Sequence, residues 1–474
     1  MEDNNVFEES QNKEVVEVSS DYIPKKKAII ICVSVLLIFA LIAGAGVGGY
    51  FFGKRNSLDD NMPLMAEAYE AFKKYYYKDI NWEEFQVYAT AAMMTQVDDY
   101  TGMYLNAEVE ATKAYGFSYN ESGINEHIIY YVMKDSPAAT TKATYHYSDL
   151  QLNNKETVTD DVYIEEGDKI YAISMVSPTA IALLGADPII VQGMEKSKFK
   201  DLLAADENAI FYIIKSNGND TYNNELYAFR LEKEWLSSKT TEYYSAQEIG
   251  DTTGTTALLK FRSFSGSAIK DFHAACETFV ESGATNLILD LRGNGGGNAT
   301  ILSYVAGCLL NGADDTSLPL LKLNYNAGYG IFRTTYFSTE FKGTYGDKEY
   351  ETINLPSVVN NFKLVVLCDS QTASSSEALI GALMYYNDTK IVGGKTYGKG
   401  VAQTIVEIGD GKYYLNITNG TYYIPTKGED GKICWDVTIH GVGITPDSEN
   451  KISKSYRPLV NDLYIKRGLE LITA

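Results

Sequence analysis

An α/β fold is predicted by three stretches in which an apolar run of strand length hands over to residues recurring at helical spacing. In the first, residues 256–261 precede a helix over 268–281 that sets Phe272, Ala275, Cys276 and Phe279 on one face. In the second, the run 287–291 enters Arg292-Gly293-Asn294-Gly295-Gly296-Gly297 and then a helix from about 298 to 310. In the third, residues 364–367 stop at a polar turn, Leu379, Ile380, Leu383 and Met384 repeat at helical spacing, and 390–392 form another apolar run. This strand, helix and strand return Ser374 and Lys399 to one edge of a sheet.

Taken in order, the 474-residue chain opens with an acidic, polar segment, residues 1–24, that cannot bury enough apolar surface to fold. Residues 28–52 follow, 25 residues without a charge, long enough to cross a bilayer as a helix. Lys25, Lys26 and Lys27 precede this span and only Lys54 and Arg55 follow it, so the positive-inside rule keeps residues 1–27 cytoplasmic and places the bulk of the chain outside. A single-pass plasma-membrane protein with an extracytoplasmic body is the resulting expectation. The formal charge of −21 would repel phosphates and excludes nucleic acid as a partner, and 45% hydrophobic content excludes a disordered chain. Cys276, Cys308 and Cys368 lie in apolar settings that suit buried thiols, a disulfide in an exported domain stays open, and the scattered cysteines lack metal-ligand spacing.

Over residues 62–97, Met65, Tyr69, Phe72 and Tyr76, then Phe85, Tyr88, Ala92 and Met93, predict two helices joined near 79–82. Between about 113 and 236 the pattern turns to short β-runs at 128–133, 169–173, 210–215 and 225–231, with a helix over 194–204. Residues 139–162 and 174–190 read as insertions, and residues 313–361, rich in Tyr and Thr, as a β-hairpin insertion. A last helix closes the chain over about 458–471.

Ser374 has a bland reading: S-x-x-E before a helical run is a capping box, with Ser374 as N-cap and Glu377 reaching back to its backbone. The T-Y-G-K-G loop at 396–400 adds Lys399 on the far side of one helix and one strand. A serine hydroxyl attacks only after a base removes its proton, and a lysine serves as that base only when its surroundings keep it neutral. Two nucleotide readings fail: G-x-G-x-x-G would need glycine at Asn298, and a Walker loop ending at Gly394-Lys395-Thr396 would need one at Thr389. A Ser-His-Asp hydrolase has only His127, His146, His273 and His440 to draw on and no G-x-S-x-G elbow.

Thr372-Ala373-Ser374-Ser375-Ser376-Glu377, the Y-G-K-G loop, Asp290-Leu291-Arg292-Gly293-Asn294-Gly295-Gly296-Gly297 and Gly441-Val442-Gly443-Ile444-Thr445-Pro446-Asp447 together resemble the carboxy-terminal processing, or tail-specific, proteases, Ser/Lys peptidases of family S41. The resemblance implies a crotonase/ClpP-like core of ββα units over residues 238–474, an N-terminal helical segment over 62–112 and an inserted PDZ-like domain over 113–236, beside the transmembrane helix at 28–52. It implies Ser374 as nucleophile, Lys399 as base, Gln403 as the residue orienting the lysine, and the backbone amides of Gly296 and Ser375 as an oxyanion hole. Gly116 and Phe117 fall at the PDZ peptide-binding loop. Implied partners are protein or peptide substrates with free C-termini, with no metal or cofactor, and assembly of several copies is left open. The implied activity is membrane-anchored cleavage of exported proteins near their C-termini. The alternative is a catalytically idle relative that holds protein tails. Gly295 stands where the family usually has proline, which loosens the loop.

Overall fold

In the computed structural model, residues 63–473 are described, apart from 76–80, 106–112, 123–125, 218–221, 223–224, 237–238, 314–316, 329, 342–343, 346–347 and 453–458. The acidic tail and the apolar span at 28–52 therefore lie outside the described residues. Among the described residues no helix is long and apolar enough to cross a membrane. The chain divides into two units, one holding residues 1–109 and 403–419 and the other residues 110–402 and 420–474.

In the first unit the two expected helices form, α1 (Pro63–Tyr75) and α2 (Trp82–Met94). Asn81 caps α2 by accepting from the Glu84 N–H at 3.3 Å, which fixes where the second helix starts. The turn Asp98-Asp99-Tyr100-Thr101 follows. One Asp98 carboxylate oxygen accepts the N–H of Tyr100 at 2.7 Å and of Thr101 at 2.6 Å, folding the chain back into β1 (Gly102–Leu105). That strand pairs antiparallel with residues 413–416.

In the second unit, a β-rich layer is built on β2 (Phe117–Ser122), β3 (Glu126–Val132), β4 (Lys169–Met175), β5 (Asn208–Ile214) and β6 (Leu226–Glu232), which neighbour one another in that order. Helix α3 (Lys196–Ala205) packs on it through Phe199, which is fully buried. The stretches expected to be insertions belong to this sheet. Tyr145–Tyr147 and Lys155–Thr157 extend it beyond β6, and Ile189–Ile190 pairs with β4. Within 174–190 a short helix, Pro178–Leu184, starts where Ser177 accepts the Ala180 N–H and Pro178 occupies the first turn.

The other part of this unit is a five-stranded sheet in the order β7 (Thr241–Tyr244), β8 (Thr256–Phe261), β9 (Asn286–Asp290), β12 (Lys363–Cys368) and β13 (Lys390–Gly393), parallel except for β7. Alternate strand residues face opposite sides. Ala257, Leu259, Phe261, Leu287, Leu289, Val366 and Cys368 pack with α4 (Ala268–Ser282), α5 (Ala299–Leu309) and α6 (Ser375–Asn387). Leu258, Ile288, Val365, Leu367 and Val392 pack with Tyr464, Ile465 and Ile472 of α7 (Leu463–Thr473). Strands covered on both faces read as continuous apolar runs, which is why this sheet was legible. The hairpin β10 (Pro319–Asn326) and β11 (Phe332–Ser338) accounts for the Tyr- and Thr-rich segment, and β10 pairs with residues 420–423.

The two layers of this unit meet through charges. The Glu242 carboxylate of β7 accepts from the Tyr131 hydroxyl and the Lys134 N–H, each at 2.9 Å, and Lys260 of β8 pairs with Glu166 at 2.7 Å.

Candidate active site

Three loops leave the carboxyl ends of β9, β12 and β13, the edge at which parallel α/β sheets place their sites. The loop after β12 carries the serines. Asp369 folds it: one carboxylate oxygen accepts the N–H of Gln371 at 2.9 Å and of Thr372 and Gly293 at 3.1 Å each. The Thr372 hydroxyl donates to the Leu291 carbonyl at 2.9 Å, tying this loop to the one after β9.

The three consecutive serines have different settings. The Ser375 hydroxyl donates to the Gly297 carbonyl at 2.8 Å and that of Ser376 to the Asn294 carbonyl at 3.0 Å. Ser374 stands at the start of α6 with φ 57° and ψ −120°. The capping-box reading holds, its Glu377 half being the carboxylate that accepts the Ser374 N–H at 2.9 Å. An ordinary N-cap, however, is extended, and capping gives no reason for a serine at positive φ. Such a conformation costs about 1–3 kcal/mol and persists only where its surroundings over-determine it.

Those surroundings centre on Glu377, a fully buried carboxylate. One oxygen accepts both the Ser374 N–H and the Lys399 N–H, each at 2.9 Å. The other accepts the Gly398 N–H at 2.8 Å and the Thr396 hydroxyl at 2.5 Å. The amide nitrogens of Ser374 and Lys399 therefore lie no more than about 6 Å apart, both being hydrogen-bonded to one atom. The lysine loop is closed from behind by residues 439–444. Thr396 N–H donates to the Ile444 carbonyl at 2.9 Å, Ile444 N–H to the Thr396 hydroxyl at 2.7 Å, and Gly441 N–H to the Gly398 carbonyl at 2.9 Å. This is the structural work of the G-V-G-I-T-P-D segment. A β-carbon at Gly400 would sit 2.6 Å from the His440 nitrogen, so the loop needs glycine there.

The glycine loop after β9 lies against the serine. A β-carbon on Gly296 would come within 2.7 Å of Ala373 O, Ser374 Cβ and Ser375 N. One expectation is corrected here. The Gly296 N–H, expected as an oxyanion donor, is already committed, donating to the Asn294 side-chain oxygen at 2.9 Å. The Asn294 side chain folds back on its own loop, while its amide group donates to Phe261 O at 2.8 Å. Ser375 N–H belongs to the first turn of α6, where helix amides have no intrahelical acceptor. Gly297 is bridged to Phe264 by the bonds of its neighbours, Phe264 N–H to Gly296 O at 3.0 Å and Asn298 N–H to Phe264 O at 2.8 Å.

Residues 255–449 match the sequence model of peptidase family S41. Over those residues, fewer than half of the chain, the protein is similar to this family. It is 23% identical over 450 residues to a CtpA-like serine protease of Staphylococcus saprophyticus, an alignment covering 92% of this chain and 77% of that relative. It is 32% identical over 218 residues to the carboxyl-terminal-processing protease of Synechocystis, covering 45% of this chain and 43% of the relative. It spans 50% of a chloroplastic carboxyl-terminal-processing peptidase of Arabidopsis thaliana. Among solved structures it matches one assigned as an S41 protease from Bacteroides fragilis, with a TM-score of 0.54 and 16% identity over 90% of this chain and 99% of that one, a likeness of fold. These similarities support an α/β serine-type peptidase.

Of the remaining expected S41 residues, Gln403 donates its side-chain amide to the Tyr100 carbonyl at 2.6 Å. The Asp98–Thr101 turn thereby holds a candidate site residue. Gly116, at φ 91°, takes the Met133 N–H on its carbonyl at 2.8 Å, and a β-carbon there would fall 2.1 Å from Ser136 Cβ. Phe117 lies on β2, the edge strand of its sheet, with its ring 5.4 Å from that of Phe211. Three of the four histidines are used elsewhere: His127 stacks on Phe199, His146 lies tilted against Tyr227, and His273 bonds the Tyr304 hydroxyl at 2.7 Å. Cys276, Cys308 and Cys368 are buried free thiols, and burial pushes the Cys368 thiol up to about 12.

Arg292 pairs with Asp290 in two bonds of 2.8 and 2.6 Å, and also reaches Asp462 at 2.7 Å. Asp462 in turn accepts the Tyr464 N–H at 2.8 Å at the start of α7. Burial alone would raise the Asp290 carboxyl, but the Arg292 guanidinium outweighs it and holds Asp290 below the ordinary carboxylate value. Burial raises Asp462. Asp290→Ala leaves Arg292 buried with half its partners and should cost about 3–5 kcal/mol, read as a lower urea midpoint. The sign with pH follows. The stability Asp290 contributes is complete above its unfolded value, near pH ~4, and is lost as pH falls through the lower folded value. The Asp290→Ala protein should lack that part of the acid limb.

Proposed function

We propose that this protein is an S41 endopeptidase with a Ser374/Lys399 dyad, cleaving exported proteins near their C-termini from a membrane tether at residues 28–52. The observation that carries the dyad is the single Glu377 oxygen bonded to both backbone amides, which fixes the two residues side by side. In the proposed reaction, the Ser374 hydroxyl bonds to the scissile carbonyl carbon while its proton passes to the neutral Lys399 amine. The lysine then protonates the departing amine as the C–N bond breaks, and water releases the acyl group by the same route in reverse. Gln403 orients the lysine.

The carbonyl oxygen of the tetrahedral intermediate is received by Ser375 N–H and, since Gly296 N–H is committed, by Gly297 N–H. Gly297, at φ 142°, is bridged to Phe264 through its neighbours, and its C=O meets the Ser375 hydroxyl. Gly296 remains essential as a residue without a side chain. Gly296→Ala should push the loop off the serine and lower kcat/KM by about 10²-fold, the usual result of misplacing a reacting group by an ångström. The measurement is steady-state cleavage of a quenched peptide.

The β-rich layer is proposed to be PDZ-like and to take the substrate tail as an added strand along β2, beside Gly116 and Phe117. The Tyr119 ring of β2 lies 4.9 Å from Phe199 of α3, so strand and helix pack side by side. Release of fragments from an unstructured test protein, with the new termini mapped by mass spectrometry, tests the whole reading. Cuts clustered near the C-terminus support it. The committed Gly296 amide is the observation that favours the idle tail-holder instead, and absence of cuts from wild type would establish that alternative.

A further inference from the structure

We infer that Tyr422 is a positioning residue for the dyad, a proposal that rests on the Ser374/Lys399 reading above. Its ring is buried, with 4% of the residue exposed. Its hydroxyl lies 2.9 Å from the Ser374 carbonyl oxygen and 2.7 Å from the Lys399 carbonyl oxygen, with donor geometry toward both. One phenol proton is thus shared between two acceptors. Its backbone N–H donates to the Gly400 carbonyl at 3.0 Å, fixing the strand that carries the ring to the same loop. Leu323 of β10 pairs with Tyr422, so the ring's origin is set by a sheet.

Glu377 and Tyr422 then act on opposite poles of the same two residues. The carboxylate oxygen takes both N–H groups and the phenol gives its proton to both C=O groups. Ser374 needs such restraint because its backbone is at φ 57°, and among the described residues its carbonyl is held by the phenol and by the Ala378 N–H of its own helix at 3.0 Å. Without the phenol, the bond to Ala378 is one that an ordinary, extended N-cap would also make. Ser374 could then relax to that conformation, moving its backbone away from the lysine loop. The phenol is therefore what holds the strained serine backbone beside that of the lysine. It touches neither substrate nor reacting atoms, and it acts through the two backbones.

The test is Tyr422→Phe, which keeps the ring and removes one oxygen, measured beside wild type and Ser374→Ala. Cleavage of a quenched peptide gives kcat and KM, and phosphonylation by a fluorophosphonate probe reports the nucleophilicity of Ser374 without substrate binding. The proposal expects kcat and the phosphonylation rate to fall together, by about 10- to 100-fold, with KM unchanged. Circular dichroism fixes a temperature at which the variant is folded, and both rates are read there, so that lost folding cannot stand in for lost positioning. Tyr422→Leu, which also empties the ring's site, should be no faster than Tyr422→Phe. If Ser374→Ala is inactive while Tyr422→Phe keeps the wild-type kcat and labelling rate, the proposal is overturned alone. A raised KM with kcat intact overturns it equally. Wild-type cleavage by Ser374→Ala overturns the serine reading, and this proposal with it.

Discussion

Ser374→Ala should abolish peptide cleavage, with kcat/KM falling by about 10⁴- to 10⁶-fold, as when a serine nucleophile is removed elsewhere. The loss would be chemical rather than structural. The bond from position 374 to Glu377 is made by the backbone N–H, which alanine retains, and the loop is held by Ser375, Ser376 and Thr372, which the substitution leaves alone. Loss of a capping hydroxyl costs about 1 kcal/mol, so the urea midpoint should barely move while activity disappears. A large drop in the midpoint with residual activity would return Ser374 to a purely capping role.

Lys399→Ala should be nearly as damaging, and Lys399→Arg no better. Arginine keeps the length and the charge but cannot give up its proton in a protein, so it fills the site without serving as a base. Retained activity in the arginine protein would mean that position 399 supplies only positive charge. Both variants keep the backbone N–H that Glu377 holds and the carbonyl that Tyr422 holds, so the serine should stay in place. Steady-state rates on one peptide, with melting curves for each variant, separate these outcomes.

The strands and helices around the site were legible because the parallel sheet is covered on both faces and its helices pack in one register. Ser374 and Lys399 were legible because a serine at a strand-to-helix turn and a lysine in a glycine loop are separated by one helix and one strand. Glu377 was legible only as a cap, since S-x-x-E is a local pattern and its bonds to Gly398 and Lys399 are not. Tyr422 acts on groups 48 and 23 residues away and Asp462 on one 170 residues away, and neither leaves a local trace. The two supposed insertions in the β-rich layer hid as insertions because their strands are only two or three residues long and gain definition from pairing. The Gly296 amide was misassigned for a physical reason too. The glycine pattern shows that the backbone approaches the serine closely, but not that Asn294 turns its own oxygen onto that N–H.

The central claim is that Lys399 activates Ser374, and covalent capture tests it most directly. Wild type, Ser374→Ala and Lys399→Ala are incubated with a fluorophosphonate, and the adduct is located by peptide mapping. Labelling at Ser374 in wild type, abolished in Ser374→Ala and strongly slowed in Lys399→Ala, is the predicted result. Labelling at another residue, or at Ser374 with the same rate when the lysine is gone, would contradict it.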